Sequence, residues 1–537
     1  MKSITIKKLY KLHTWVGVIT GILLFVIAFT GAVAVFARPE LKIWANEEIR
    51  AQLNTTPQQL QNAIDKQALE VGTAYHEEVH VRLARTSSSE KYRVIYEGHF
   101  EQEDGSEDHE GMVYMLDPNT LAVTGSYDME AFFSNFEHDM ASFIASFHAD
   151  LHLGRPVGLI LTGLLGLTLM VSIITGVLVH RKKLNQLFTF RPQKSFSLLL
   201  NDGHKVMGIW GVAFHSIVAF TGAFLGLATV ILVPAAAYVG FNGDQEKLVE
   251  VFTAIKAPEL AHVNQPTKIA DILAASAKDN PNLTITNFTI MGYGDENALV
   301  YVSGSGDENV GGQTLVYQGA TAEFIRAQAN FGRLEGVTGK ILDAMFPLHF
   351  GNFAGVLVKT LWAWLGLAMA LLPISGIMLW IERGLNAQNP AHSIKTYKAM
   401  ERLLVGSCGG IVLAVSILFP VQLLLNAFSA STDNTTPIFT FFFTTWGIAT
   451  FLGLLIPARA GVKWLGYATA ACLISVMPLD IAFTGSHLFN VMSTQHFTSV
   501  SVDIVVFVIG IILVLLLKKH QVANPSAELS NKAAVSN

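Results

Sequence analysis

The sequence predicts a polytopic α-helical membrane protein with about eight transmembrane helices and two small α+β domains outside the membrane, arranged as an internal duplication. Three observations predict it: eight charge-poor apolar runs near 20 residues long, basic residues in every second loop, and short motifs that recur about 190–200 residues apart. Composition agrees. Of 537 residues, 14% are charged and 51% hydrophobic, and 36 Lys+Arg against 41 Asp+Glu leave a net charge of −5. That excludes a disordered chain, a basic nucleic-acid binder and a disulfide-stapled secreted domain.

Crossing about 30 Å of hydrocarbon at 1.5 Å per residue takes about 20 apolar residues. Runs of that kind are Val16–Ala37, Val157–His180, Val206–Phe241, Thr360–Ile381, Leu403–Thr432, Thr435–Ala458, Trp464–Phe483 and Val500–Leu517. The first is long for a signal-peptide core and reads as an uncleaved anchor.

Lys2, Lys7, Lys8 and Lys11 precede the first run. Arg181, Lys182, Lys183, Arg191 and Lys194 follow the second, and Arg383, Lys395, Lys398 and Arg402 follow the fourth. Arg459, Lys463, Lys518 and Lys519 continue the alternation, whereas segments 433–434 and 484–499 carry no Lys or Arg. The positive-inside rule then places both termini in the cytoplasm and the large loops 38–156 and 242–352 outside. The first loop is acidic, with 21 Asp+Glu and 8 Lys+Arg over residues 38–150.

The two halves repeat. His13-Thr-Trp-Val-Gly17 recurs as His204-Lys-Val-Met-Gly208, and Thr30-Gly31 as Thr221-Gly222, both offset by 191. His152-Leu-Gly154 recurs as His349-Phe-Gly351, and Gly166-Leu167 and Thr175-Gly176 as Gly366-Leu367 and Ser375-Gly376. The unit is span, outer domain, span, and the last four spans lie outside it. In each outer loop one helix precedes strands: Pro57–Glu70, then His80–Arg85, Lys91–Glu97 and Met112–Leu116; and Pro266–Asn280, then Leu283–Ile290, Ala298–Val302 and Gln313–Tyr317.

The domain reading is an N-terminal segment and first span (1–37), outer domain one (38–150), spans two and three with a basic loop (151–241), and outer domain two (242–348). The fourth span (349–383), four further spans (384–519) and a cytoplasmic tail (520–537) follow.

LHTWVG (12–17) with Thr30-Gly31, FHADLHLG (147–154), GHKVMG (203–208) with Thr221-Gly222, and LHFGNFAG (348–355) resemble the PepSY-associated transmembrane family. That family includes iron-regulated inner-membrane proteins and ferric-siderophore reductases. The resemblance covers about residues 8–383, and the four-span tail departs from the shortest members. It implies PepSY-like periplasmic domains, location in the bacterial inner membrane, and a haem-carrying conduit that reduces iron outside it.

Histidines at repeat-related positions suit that chemistry, because b-type haem is held between imidazoles of facing helices. The expected ligands of two haem b groups are His13 with His204 near the inner edge and His152 with His349 near the outer edge. In His-x-x-x-Gly the glycine shares the histidine's helical face and leaves room for a flat macrocycle or for close helix packing. Competing cofactor-binding candidates are His148, on the same face as His152; His180, at the inner edge; and His215, deeper on the face of His204. A single histidine at a span edge more often hydrogen-bonds headgroups or helix ends.

Other motifs carry less. His76-Glu77-Glu78-Val79-His80 matches the H-E-x-x-H zinc pattern but runs into a strand rather than a helix. Glu101–Glu110, flanked by His99 and His109, suits hard ferric iron, although a solvated hairpin tip is the simpler reading. Gly304-Ser-Gly306 has no βαβ unit behind it. Asp480, Asp503, His487 and His496 gather near the outer ends of spans seven and eight, where loop solvation accounts for them. Cys408 and Cys472 lie in spans, and without CxxCH covalent haem attachment is excluded.

The leading reading is a transmembrane oxidoreductase of the ferric-reductase type. Its acceptor is a ferric siderophore or another periplasmic species, and its donor is quinol or a separate cytoplasmic reductase. No nucleic-acid partner is expected, and a homo-oligomer stays open. The alternatives are a membrane-anchored PepSY module that binds peptides or proteins without redox activity, and a transporter built on the repeat.

Overall fold

The computed structural model describes residues 3–46, 55–84, 91–101, 107–134, 139–180, 190–191, 195–305, 311–329, 336–429, 435–484 and 497–522. Among these, eight helices are long and apolar enough to span a membrane: Ile4–Ala34, Val157–Val179, Val212–Phe241, Gly355–Leu385, Ile394–Phe428, Thr435–Leu455, Ala458–Phe483 and Phe497–Lys519.

In chain order the first half holds α1 (Ser3–Ala34), a π-turn at Ala37–Leu41, α2 (Lys42–Ala45), α3 (Pro57–Val71), β1 (Glu78–Arg82), β2 (Tyr92–Glu101), β3 (Glu107–Leu116), β4 (Val123–Asp128), α4 (Met129–Ser134), α5 (Met140–Asp150) and α6 (Val157–Val179). The second half repeats the plan with α7 (Phe196–Trp210), α8 (Val212–Leu227), α9 (Val233–Phe241), α10 (Gln245–Thr253), α11 (Ile269–Asp279), β5 (Thr284–Met291), β6 (Leu299–Ser305), β7 (Gln313–Gln318), β8 (Phe324–Gln328), α12 (Gly336–Phe350) and α13 (Gly355–Leu385). The tail is α14 (Ile394–Phe428), α15 (Thr435–Leu455), α16 (Ala458–Thr484) and α17 (Phe497–Val522).

The two loop domains share one antiparallel sheet of eight strands, in the order β4-β3-β2-β1-β5-β6-β7-β8. The seam is β1 against β5, with His80 opposite Thr289 and Val81 opposite Phe288. Alternation decides the faces. Val79, Val81, Val94 and Tyr96 point to one side with Phe288, Ile290, Val300 and Val302, and α3 and α11 cover them with Leu60, Ile64, Ile269 and Ile272. The start of α3 is fixed locally: Thr56 Oγ1 accepts from Gln59 N at 3.2 Å, the Gln59 side chain accepts from Thr56 N at 2.8 Å, and Pro57 fills the first turn.

Several boundaries differ from the sequence reading. Strands β4 and β8 were not expected; β8 is exposed over most of its length, so burial periodicity did not mark it. The third span begins at Val212, because the chain breaks at Gly211 and leaves His204 on a separate α7. Two short helices, α5 and α12, precede spans two and four. The first span starts at Ile4, since α1 continues through the lysine-rich segment.

The four-span tail is part of the main core rather than an appendage. Ile411, Ala414, Val415 and Leu418 of α14 pack in one cluster with Phe25 and Val26 of α1 and Phe143 and Phe147 of α5. Gln422 Oε1 accepts from Met140 N at the start of α5 (2.9 Å), and Asn426 donates to Ala45 O (2.8 Å).

Candidate functional site

Each repeat unit holds two imidazoles with its own helices. His13 of α1 points Nδ1 at Ser172 O (3.0 Å) and Thr175 Oγ1 (3.2 Å) of α6. His204 of α7 places Nδ1 3.0 Å from Ser375 Oγ of α13 and also bonds the Leu372 carbonyl. His148 of α5 reaches Ile27 O of α1 at 3.0 Å. His349 of α12 sits 3.0 Å from Thr221 Oγ1 of α8 and bonds the Val218 carbonyl. In all four cases the carbonyl lies three residues before the hydroxyl of a Thr-Gly or Ser-Gly dipeptide.

These bonds fix the tautomer. A backbone carbonyl only accepts, so Nδ1 carries the proton. The hydroxyls of Ser375 and Thr221 donate to Leu371 O (2.8 Å) and Ile217 O (2.7 Å), which leaves them as acceptors too. Each Nε2 therefore presents its lone pair, the state in which an imidazole binds a metal.

The glycine of each dipeptide makes room for the ring. A Cβ at Gly31 would lie 2.6 Å from His148 Cε1; the matching distances are 3.0 Å for Gly222 and His349, 3.2 Å for Gly176 and His13, and 3.4 Å for Gly376 and His204. Gly17 and Gly208, one turn after His13 and His204, face space: a Cβ at Gly17 would meet nothing within 4 Å, and one at Gly208 only Leu372 Cδ2 at 3.7 Å.

The rings meet between units. His13 and His204 have centroids 6.1 Å apart with planes at 77°; His148 and His349 are also 6.1 Å apart, at 26°. One ion bonded to a nitrogen of each ring needs two bonds of about 2 Å and so separates the centroids by about 6.4 Å. The donor set, the exposed lone pairs and the open glycine face fit a haem iron that two imidazoles would hold. His13 and Ile27 are 14 residues apart on α1, which sets the pairs about 21 Å apart along the bundle.

The other candidates lie elsewhere. His152 is not brought to His349. It follows the end of α5 with a left-handed φ of 52°, contacts Phe143 O through Nε2 at 3.1 Å, stacks on Phe143 at 4.4 Å, and packs against Phe439 and Phe443 of α15. The chain turn carries its ring off the helix face, and His148, one turn earlier, takes the place facing His349. A signal existed: the offset of 200 that aligns Gly166 with Gly366 and Thr175 with Ser375 puts His349 one residue from His148 and three from His152. His215 is buried beside Phe214, with no hydrogen-bond partner for Nε2 among the described residues. His180 closes α6, one turn beyond Gly176.

Asp480 and Asp503 are not solvated by a loop. They are 5% and 4% exposed, and Trp44 Nε1–H donates to Asp503 Oδ1 at 2.8 Å. His487 and His496 lie outside the described residues. His76 precedes a strand, so His76–His80 is not a helical zinc motif.

Duplicated membrane-spanning units, joined by one sheet and bringing imidazoles together at both ends of the bundle, define the class: a polytopic membrane protein with paired-histidine sites. Residues 10–383 match the family model described as PepSY-associated TM region, and the chain belongs to that family. The uncharacterized protein PA4219 of Pseudomonas aeruginosa is similar, 24% identical over 359 residues that cover 62% of this chain and 85% of that protein.

Proposed function

We propose that the protein is an electron-transfer oxidoreductase of the bacterial inner membrane, holding two haem b groups and reducing a periplasmic acceptor, most simply ferric siderophore iron. The observation that carries this is the pair of facing imidazoles at each end of the bundle, every Nδ1–H anchored and every Nε2 lone pair presented. His13 and His204 would hold one group, and His148 and His349 the other. A haem bound by two imidazoles supplies a low-spin iron suited to passing single electrons rather than to binding oxygen.

The chain's own residues do the rest. The Ser172, Ile27, Leu372 and Val218 carbonyls and the neighbouring hydroxyls orient the rings and raise their basicity. Reduction frees iron because hard oxygen ligands hold Fe(II) less tightly than Fe(III). All eight strands among the described residues belong to the one sheet, so no dinucleotide-binding βαβ unit is present there and quinol or a separate reductase serves as donor. The basic loops support a periplasmic sheet and cytoplasmic termini by the positive-inside rule.

The test is the absorption spectrum of protein purified from haem-replete cells. We expect a Soret band that falls by about half in His13→Ala or His204→Ala and is lost when His148→Ala or His349→Ala is added. A colourless protein, or a band indifferent to all four substitutions, would falsify the reading.

A further inference from the structure

On the sheet face opposite α3 and α11, strands β1, β2 and β3 gather His80, His99 and His109 with Glu77, Glu78 and Glu97. Alternation puts Glu78 and His80 on one side of β1 and Glu97 and His99 on the same side of β2. Strand pairing sets Glu78 directly opposite Glu97, and His99 directly opposite His109. Carboxylate faces carboxylate and imidazole faces imidazole, with the His99 and His109 ring centroids only 4.3 Å apart. Like charges directly opposite destabilise a sheet; His80 Nε2, 3.1 Å from Glu78 Oε2 and 3.4 Å from Glu97 Oε2, lies between the two carboxylates.

The distances converge on Glu97. Its Oε1 lies 2.7 Å from His109 Nδ1 and 3.9 Å from His99 Nε2, and its Oε2 lies 3.4 Å from His80 Nε2. His80 Nε2 also contacts Glu78 Oε2 at 3.1 Å, and His99 Nδ1 contacts Glu77 Oε2 at 3.3 Å. Ligand atoms of Glu97, His99 and His109 all fall within 4.8 Å of one another. Two imidazoles and one carboxylate are a donor set for first-row transition ions, whereas calcium and magnesium take oxygen ligands. The Glu97 side chain is 16% exposed and His109 44%, so the ligands are held yet open to an ion from solvent.

We infer that this face binds one divalent first-row transition-metal ion through His99, His109 and Glu97 Oε1, with His80 and Glu78 orienting the other oxygen of Glu97. The site stands apart from the paired imidazoles of the helices and does not rest on their holding haem.

Zn(II) titrated calorimetrically into untagged full-length protein in detergent tests it, with Co(II) absorption as a second readout. The expected result is one high-affinity Zn(II) per chain, with no competition from Mg(II) or Ca(II) in hundredfold excess. The dissociation constant should rise at least tenfold in His99→Ala, His109→Ala and Glu97→Gln, and stay unchanged in His262→Ala. His109→Gln, isosteric enough to keep the strand pair, covers a fold defect in the alanine variant; its metal-free melting temperature should match the parent. No Zn(II) binding, or binding that the His99, His109 and Glu97 variants leave intact, overturns the inference.

Discussion

His148 and His349 face each other across the boundary between the repeat units, 6.1 Å apart and 26° from parallel. His152, which shares the motif His-x-Gly with His349, packs instead against α15. The two histidines of the first unit should therefore respond differently. His148→Ala should remove the absorbance of the haem proposed at the sheet end of the bundle. His152→Ala should leave the spectrum intact and lower the melting temperature, since it removes the stack on Phe143 and the contact with Phe439. Difference spectra and thermal melts of the two variants check this.

Glycine substitutions should be graded by the space at each ring. Gly31→Ala sets a methyl 2.6 Å from His148 Cε1, so the ring must move; Gly376→Ala meets His204 only at 3.4 Å, an ordinary contact. Haem content should fall in the first variant and hold near parental in the second. Equal losses in both would count against ring displacement as the cause.

Trp44 ties the short helix after the first span to the last span through Asp503. Trp44→Phe leaves the buried Asp503 oxygen without its N–H and should cost about 1–3 kcal/mol. Asp480→Asn, isosteric and outside that Trp44 hydrogen bond, should be tolerated. Chemical unfolding in detergent, compared across the two variants, measures both.

Acid should loosen the second half of the sheet. Burial works to raise the Asp295 pKa, but the backbone N–H groups of Asn297, Ala261, His262 and Val263 outweigh it and hold the carboxyl below its ordinary range. A depressed folded value means that the stabilisation is fully present above the unfolded pKa and is lost as pH falls through the folded one. Stability should thus drop below about pH 4. Asp295→Asn should flatten that drop and lose about 1–2 kcal/mol at neutral pH. Hydrogen exchange of the Ala261 and Asn297 amides as a function of pH reports it.

Much of this was legible in the sequence. The spans announced themselves through their length and lack of charge, and the glycine beside each candidate imidazole through the repeated Thr-Gly and Ser-Gly pairs. The partner of His349 was not, because motif spelling favoured His152 and only the span register of 200 pointed one turn earlier. Joining of the two loop domains into one sheet left no local signal either: β1 and β5 pair over more than 200 residues of chain, and each strand reads equally well as an edge. Trp44, which covers Asp503, sits on α2, a four-residue helix too short for periodicity to reveal.

Each imidazole is anchored within its own unit, while each pair is completed only by the other unit, and the β1–β5 seam runs antiparallel between equivalent strands. A lone ancestral copy would thus have carried half of every site, and would have worked only as a twofold homodimer clasped strand to strand. Only the first half now bears the acidic, histidine-rich strands β1 to β3.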